Sequence, residues 1–225
     1  MLYLIATPIG NLQDITLRAL TVLREVDFIL AEDTRRSGLL LKYHNLPKKH
    51  FISFFEYNEE KRLPYIINLL KKGKRIALLS NAGTPCISDP GYKLVRRCYK
   101  EGIKVECLPG PSAVITALLL SGFPTDSFFF LGFLPRKKGE LQKRLMPLKE
   151  VKTTLVIFES PQRIKKLLLQ IRDILGRKRC AIVREMTKFY QEVKIGYPQE
   201  LLTYFEKNPP RGEFTVIVDT RSSKD

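Results

Sequence analysis

Three loops rich in glycine and proline constrain this chain more than any other feature: Thr7-Pro8-Ile9-Gly10-Asn11, Asn81-Ala82-Gly83-Thr84-Pro85 and Pro109-Gly110-Pro111-Ser112-Ala113. Each follows a short apolar run that reads as a strand, at residues 2–6, 76–80 and 104–108. Each leads, at once or within a few residues, into a helical pattern. Strand, tight turn and helix in that order is how α/β proteins present bare backbone N–H and C=O groups to a small ligand at the carboxyl edge of a sheet. Glycine lets the main chain approach a ligand closely. Three such loops in one chain predict a ligand gripped mainly by backbone.

The rest of the first half keeps the same alternation. A helix capped by Asp14 buries Leu17, Leu20, Val22 and Leu23. Residues 28–31 form a strand, followed by Glu32-Asp33-Thr34-Arg35 and a helix to about Tyr43. A strand at 51–54, a helix at 59–72 and a helix at 92–101 complete the pattern, which predicts a mostly parallel sheet covered on both faces. The helix at 112–121 ends at Gly122-Phe123-Pro124-Thr125, a natural boundary. The second half changes order: strands at 128–132 and 153–158, a basic helix at 140–149, and a helix at 162–175 with Ser160 as its cap before Pro161. Strands at 180–184 and 191–195 read as an antiparallel pair, and a helix at 198–205 and a strand at 214–218 close the domain. The expected organisation is therefore α/β in two domains, 1–121 with a mostly parallel sheet and 122–220 with a mixed sheet, and a short tail at 221–225.

Charge supplies the next constraint. The chain has 39 Lys and Arg against 23 Asp and Glu, a formal +16. Residues 136–179 alone hold 14 basic and 4 acidic residues. Such a cluster gains affinity for phosphates by releasing counterions, which predicts a polyanion surface around Arg136, Lys137, Lys138, Lys143 and Arg144. Phe128-Phe129-Phe130 reads as core strand, because consecutive side chains point to alternate faces. Cys86, Cys98, Cys107 and Cys180 form no C-x-x-C pair, and with only His44 and His50 available no metal site has sensible spacing. Buried free thiols of a reducing compartment are expected. The N-terminal stretch lacks a basic n-region, and the longest apolar stretch, 113–120, falls far short of the ~20 residues of a membrane span. A cytoplasmic protein is the expectation.

Taken in order, ATPIGNLQDITLRAL (6–20), AEDTR (31–35), AGTPCISDPGYKLVR (82–96), LPGPSAVITAL (108–118), GFLPRKKGE (132–140), FESPQR (158–163), VREMTK (183–188) and GEF (212–214) resemble the ribosomal RNA small-subunit methyltransferase I family, of the tetrapyrrole-methylase fold. The resemblance implies an S-adenosylmethionine-dependent enzyme that methylates the ribose 2′-hydroxyl of a P-site cytidine in 16S rRNA, the sequence leaving open whether as free RNA or within the 30S subunit. It also implies a homodimer of two-domain subunits that uses no metal and folds the cofactor into the cleft between its domains. The cofactor contacts it implies are Pro8, Gly10, Asn81, Ala82, Gly83, Thr84, Pro111, Ser112 and Ala113 in the first half, and Gly132, Phe133, Arg184, Glu185 and Glu213 in the second. The sequence has neither G-x-x-x-x-G-K-[ST] nor G-x-G-x-x-G, as suits a cofactor without phosphates.

The chain departs from that family in its ionisable residues. Family members often carry histidine where this chain has Arg36, Phe55, Tyr57 and Gln162, and aspartate where it has Asn81. A histidine base is therefore not expected. Asp33, Glu56, Glu185, Lys188 or water remain to take the proton. Asp33 and Arg35 lead, as a carboxylate beside a cation on a strand-end loop, with Glu185 and Lys188 as a second pair. The charged stretch argues against a small acidic macrocycle as acceptor. An RNA-binding protein that has lost catalysis is the other alternative.

Overall fold

In the first half the apolar runs become five short strands: β1 (Leu2–Ile5), β2 (Phe28–Ala31), β3 (His50–Ser53), β4 (Ile76–Leu79) and β5 (Val105–Leu108). In the computed structural model, which describes residues 1–221, all four strand pairings of this sheet are parallel and the order is β3-β2-β4-β1-β5. The period of two along each strand sorts the side chains. Tyr3, Ile5, Ile29, Ala31, Ala77 and Leu79 face α1 (Leu17–Glu25) and α2 (Thr34–Tyr43). Leu2, Leu30, Ile76 and Leu78 face α3 (Glu59–Lys71) and α4 (Tyr92–Lys100). Both faces are covered, so β4 is buried at every position. One cap differs from expectation. Thr16, not Asp14, closes α1, its hydroxyl accepting from Ala19 N–H at 3.1 Å.

The chain divides into two compact units, Met1–Ser112 and a second that begins at Ala113. The helix expected to end the first domain, α5 (Ala113–Leu120), instead packs on the second sheet. There Val114, Ala117 and Leu118 meet Val156, Ala181, Val183 and Ile217. The sequence AVITALLL has no polar face to show which sheet it prefers, so its pattern alone could not place it. The boundary therefore falls at Ser112/Ala113 and not after residue 121.

The second sheet comprises β6 (Phe128–Phe133), β7 (Thr154–Glu159), β8 (Arg179–Arg184), β9 (Glu192–Gly196) and β10 (Phe214–Asp219), in the order β6-β7-β10-β8-β9. β6 and β7 are parallel and the other pairings antiparallel, the mixed sheet expected. Its second face is covered by α6 (Lys138–Leu145), α7 (Ile164–Leu175) and α8 (Pro198–Lys207), through Leu141, Leu145, Leu167, Ile171, Leu201 and Phe205. The basic helix ends earlier than 149, passing into a 3-10 turn at Met146–Leu148. Ser160 does not cap α7. The helix starts at Ile164, and Ser160 instead closes a turn, its carbonyl accepting from Arg163 N–H at 3.0 Å.

All four cysteines are free; Cys98 and Cys180 are buried, Cys86 is half-buried and Cys107 is exposed, so only part of the buried-thiol expectation holds. Among the described residues no helix is long and apolar enough to cross a membrane. Arg221, the first residue of the expected tail, is instead pinned to the second unit, its guanidinium donating to Asp126 Oδ1 and Ser127 C=O at 2.6 Å each; the remainder, 222–225, lies outside the described residues.

Candidate active site

In the first unit the loops after β2, β4, β1 and β5 emerge side by side at the carboxyl edge, since those strands are neighbours in that order. β1 leads to a helix on one face and β4 to a helix on the other, which makes their junction the switch point where α/β sheets bind ligands. The two loops are stitched there. Thr7 N–H donates to Gly83 C=O at 2.9 Å and Gly83 N–H returns a bond to Thr7 C=O at 2.9 Å. Gly83 sits at φ 82°, a left-handed backbone that a side chain would strain. The Thr7 hydroxyl donates to Ser80 C=O at 3.0 Å, and the Thr84 hydroxyl reaches Pro111 C=O at 3.1 Å, tying in the third loop. Gly110 lies against β1 so closely that a Cβ there would stand 3.0 Å from Ala6 Cβ. All three sequence-predicted loops thus come together.

Asn81 joins the fourth. Its Oδ1 accepts from Asp33 N–H at 3.2 Å and its Nδ2 donates to Glu32 Oε2 at 2.9 Å. The residue that replaces an aspartate of the family therefore suits its neighbour, because a carboxylate here would face the Glu32 carboxylate. Asp33 caps α2, Oδ1 accepting from Arg35 N–H at 2.9 Å and Arg36 N–H at 3.3 Å. Its facing cation is the Arg36 guanidinium, 4.0 Å from Oδ2, and not Arg35 as the sequence suggested. A groove of about 220 Å³ opens beside this edge, lined by Thr7, Pro8, Leu12, Arg36, Leu39 and Asn81 among others. Sequence reasoning missed Glu32 and the pair Ser80–Asp89. The Ser80 hydroxyl donates to Asp89 Oδ2 and receives Ala82 N–H at 3.1 Å, fixing the turn after β4. Burial pushes the Asp89 carboxyl above its ordinary range, Glu32 adds to that, and the Ser80 bond opposes it. Its place in the loop motif, ISDPG, was the available signal.

In the second unit, Glu185, Lys188 and Glu213 form one bonded cluster. Lys188 Nζ lies 2.9 Å from Glu185 Oε1 and 3.0 Å from Glu213 Oε2, and Glu213 N–H donates to Glu185 Oε1 at 2.9 Å. Burial raises the Glu185 carboxyl, but the Glu213 amide and Lys188 together outweigh it and hold it below its usual range. Burial lowers Lys188, and its two carboxylate bonds more than reverse that. Lys188 is thus a cation at neutral pH and Glu185 a weak base. Gly212, at φ 87°, is needed, because a Cβ would lie 2.6 Å from the Glu185 side chain. Arg184 Nε is 3.3 Å from Glu192. Gly132, at φ 62°, lies at a bulge in β6, and the exposed Phe133 ring packs 5.6 Å from Phe158.

The basic residues sit as expected on the surface, Arg136 and Lys137 between β6 and α6, and Lys138, Lys143 and Arg144 on α6. The loop is anchored through its carbonyls. Arg163 donates to Leu134 C=O at 2.7 Å and Pro135 C=O at 3.3 Å, and Lys166 to Arg136 C=O at 3.2 Å. Arg163 is itself held by the buried Glu159 at 3.3 Å.

Residues 1–201 match the family model of tetrapyrrole (corrin/porphyrin) methylases. The ribosomal RNA small subunit methyltransferase I of Thermotoga maritima is 50% identical over 217 residues, covering 96% of this chain and 97% of the relative. This chain belongs to the small subunit methyltransferase I family of tetrapyrrole methylases. The namesake from Halalkalibacterium halodurans is 45% identical over 223 residues, 99% of this chain and 77% of that one. The fold is shared with a cobalt precorrin-4 methyltransferase (TM-score 0.71, 19% identity, 98% and 95% of the two chains) and the methyltransferase CobJ (TM-score 0.74, 16%, 100% and 95%).

As a tetrapyrrole methylase the chain uses S-adenosylmethionine. Its carboxyl edge fits that cofactor. Glu32, Asp33 and Asp89 supply negative charge for a cationic sulfonium and ammonium, and the three loops contain no lysine that would suit phosphates. Among the described residues no group of three or more His, Cys, Asp or Glu side chains is placed to hold a metal.

Proposed function

We propose that this methylase transfers a methyl group to the ribose 2′-hydroxyl of a P-site cytidine in 16S rRNA, presented within the 30S subunit. The observation that carries the reading is 50% identity across nearly the whole of both chains to a relative named for the ribosomal RNA small subunit. S-adenosylmethionine supplies an electrophilic methyl and leaves as the neutral thioether. The chain's own residues do the rest.

On the first unit, Pro8, Gly10, Asn81, Ala82, Gly83, Thr84, Pro111 and Ser112 bind the cofactor through a stitched backbone edge. Ala113, Gly132, Phe133, Arg184, Glu185 and Glu213 are the contacts proposed on the second. Positioning of this kind supplies much of the rate of a displacement at carbon. Asp33 is the group proposed to orient the hydroxyl and accept its proton, because Oδ1 is held by the Arg35 and Arg36 amides while Oδ2 has, among the described residues, only the Arg36 guanidinium beside it, at 4.0 Å. A base of this kind contributes about 10²–10⁴-fold. Arg35, with its side chain exposed on the same turn, acts as a cation toward the RNA, and Lys188, kept charged between Glu185 and Glu213, holds those two carboxylates in place. Arg136, Lys137, Lys138, Lys143 and Arg144 bind the phosphates, and a homodimer in the cytoplasm is the proposed working form.

The test is transfer of radiolabelled methyl to 30S subunits from a strain lacking the modification, with the product nucleoside mapped. A 2′-O-methylcytidine at the P site is expected. Cofactor and RNA binding without transfer would point to a binding factor or another acceptor.

A further inference from the structure

The segment joining β8 to β9 ends in two aromatic side chains that the rest of the molecule does not cover. Phe189 is 93% exposed and Tyr190 71% exposed, with ring centroids 5.0 Å apart and planes at 90°. Among the described residues no group bonds the Tyr190 hydroxyl. Exposed aromatics on a loose loop would mean little, but this segment is braced. Glu185 N–H donates to Glu213 C=O, Lys188 N–H to Glu185 C=O and Gln191 N–H to Lys188 C=O, each at 3.1 Å. Thr187 N–H is taken by Gln191 Oε1 at 2.7 Å, and Lys188 is clamped by two carboxylates. Two non-glycine residues, Glu185 at φ 51° and Thr187 at φ 62°, sit in the left-handed region. For a β-branched threonine that is a strained position, of the kind that persists where a surrounding structure enforces it.

We propose that Phe189 and Tyr190 are a stacking platform for unpaired nucleobases of the RNA. The inference rests on the reading that the substrate is RNA. Two perpendicular rings offer a flat face each, in two directions, and every base has a π-face to lay on one of them. Single-stranded nucleic acid is held by aromatic faces combined with a basic surface. The same unit supplies that surface, with 14 Lys and Arg against 4 Asp and Glu in residues 136–179. A second copy of the chain is the competing occupant, and the concentration arm of the test below separates the two.

The sequence contains no tryptophan, so Phe189→Trp places a single indole reporter on the platform. The variant is titrated with a single-stranded RNA oligonucleotide, with heparin as a polyanion without bases, and with itself by concentration. Quenching by RNA and not by heparin or self-association is expected. Equal quenching by heparin, no quenching by bound RNA, or a change with protein concentration alone would overturn the proposal, the last assigning the patch to a second copy. Truncating either ring to alanine weakens RNA binding about 5- to 150-fold, the equivalent of about 1–3 kcal/mol, while the salt dependence stays the same. A weaker salt dependence would show the loss to be electrostatic and sink the stacking role. If the wild type methylates 30S subunits but the reporter stays silent with RNA bound, only this inference fails. If the reporter is quenched but no methyl is transferred, the functional reading fails and the platform stands.

Discussion

At the scale of single residues, the carboxyl edge of the first sheet is set by which side chains are charged. Asn81 links two loops because it offers one donor and one acceptor, to Glu32 and to the Asp33 amide. Asn81→Asp would oppose two carboxylates across that contact, and we expect its melting temperature to fall by about 2–4 °C, the equivalent of about 1 kcal/mol in a chain of this size. Adding Glu32→Gln should recover most of it, since the bond then re-forms with donor and acceptor exchanged. A double variant as unstable as the single one would mean that the contact is not what Asn81 provides. Asp89 gives a pH signature. Burial holds its folded pKa above the unfolded value of 3.8, so the folded state keeps the proton to higher pH than the unfolded chain. That contribution to stability is present below 3.8 and is lost as pH rises through the folded pKa. Asp89→Asn keeps an acceptor for the Ser80 hydroxyl, and it should be more stable than the wild type at pH 7, with the gain vanishing toward pH 3.8. Thermal melts that show a pH-independent difference would contradict this.

At the scale of elements, the alternation of short apolar runs and helices was legible because the central strands of the parallel sheet are buried on both faces, β4 at every position, while the helices that cover them are buried on one. The misplaced features are those decided by tertiary contact. Helix α5 is apolar all round, so nothing in AVITALLL says which sheet it joins. Ser160 has the residue type of a cap, but Glu159 draws its amide into another bond, and the helix begins four residues later. The three glycine loops were readable as a group because their chemistry is local. Asp89 and Glu32 were not, since their roles depend on neighbours nine and 49 residues away. The anchoring of the basic loop was likewise invisible, as it runs from β7 through Arg163 to the carbonyls of residues 134 and 135. Arg163→Met should free that loop while leaving buried Glu159 without its cation, a loss of about 3–5 kcal/mol at full burial of both and less here, where Arg163 is partly exposed. Hydrogen exchange in residues 134–138 should rise, and RNA affinity should fall although none of the five cations proposed to bind phosphates has changed. Unaltered exchange in that segment would show that the loop does not depend on the anchor.

At the scale of the whole molecule, the distribution of charge separates two tasks that the sequence already hinted at. The first unit's carboxyl edge gathers Glu32, Asp33 and Asp89, suited to a small cation, whereas the second presents Arg136, Lys137, Lys138, Lys143 and Arg144 at its surface. Among the described residues, only Lys137 of these five has a carboxylate nearby, Glu140 at 3.7 Å, and that pair is too exposed to hold it back from a phosphate. Each cation that binds single-stranded RNA releases counterions, which steepens the fall of log affinity with log salt by about 0.7 per phosphate. Neutralising Lys137, Lys138, Lys143 and Arg144 together should therefore lower the magnitude of that slope by up to about 2.8. Affinity should drop most at low salt, where wild type and variant differ most, and converge as salt screens the contacts. Cofactor affinity should not move, because the acidic edge proposed to bind it is untouched. A slope that stays as steep in the variant would place the phosphate contacts elsewhere on this basic chain. A parallel loss of S-adenosylmethionine binding in a folded variant would break the division between an edge for the cofactor and a surface for the polyanion.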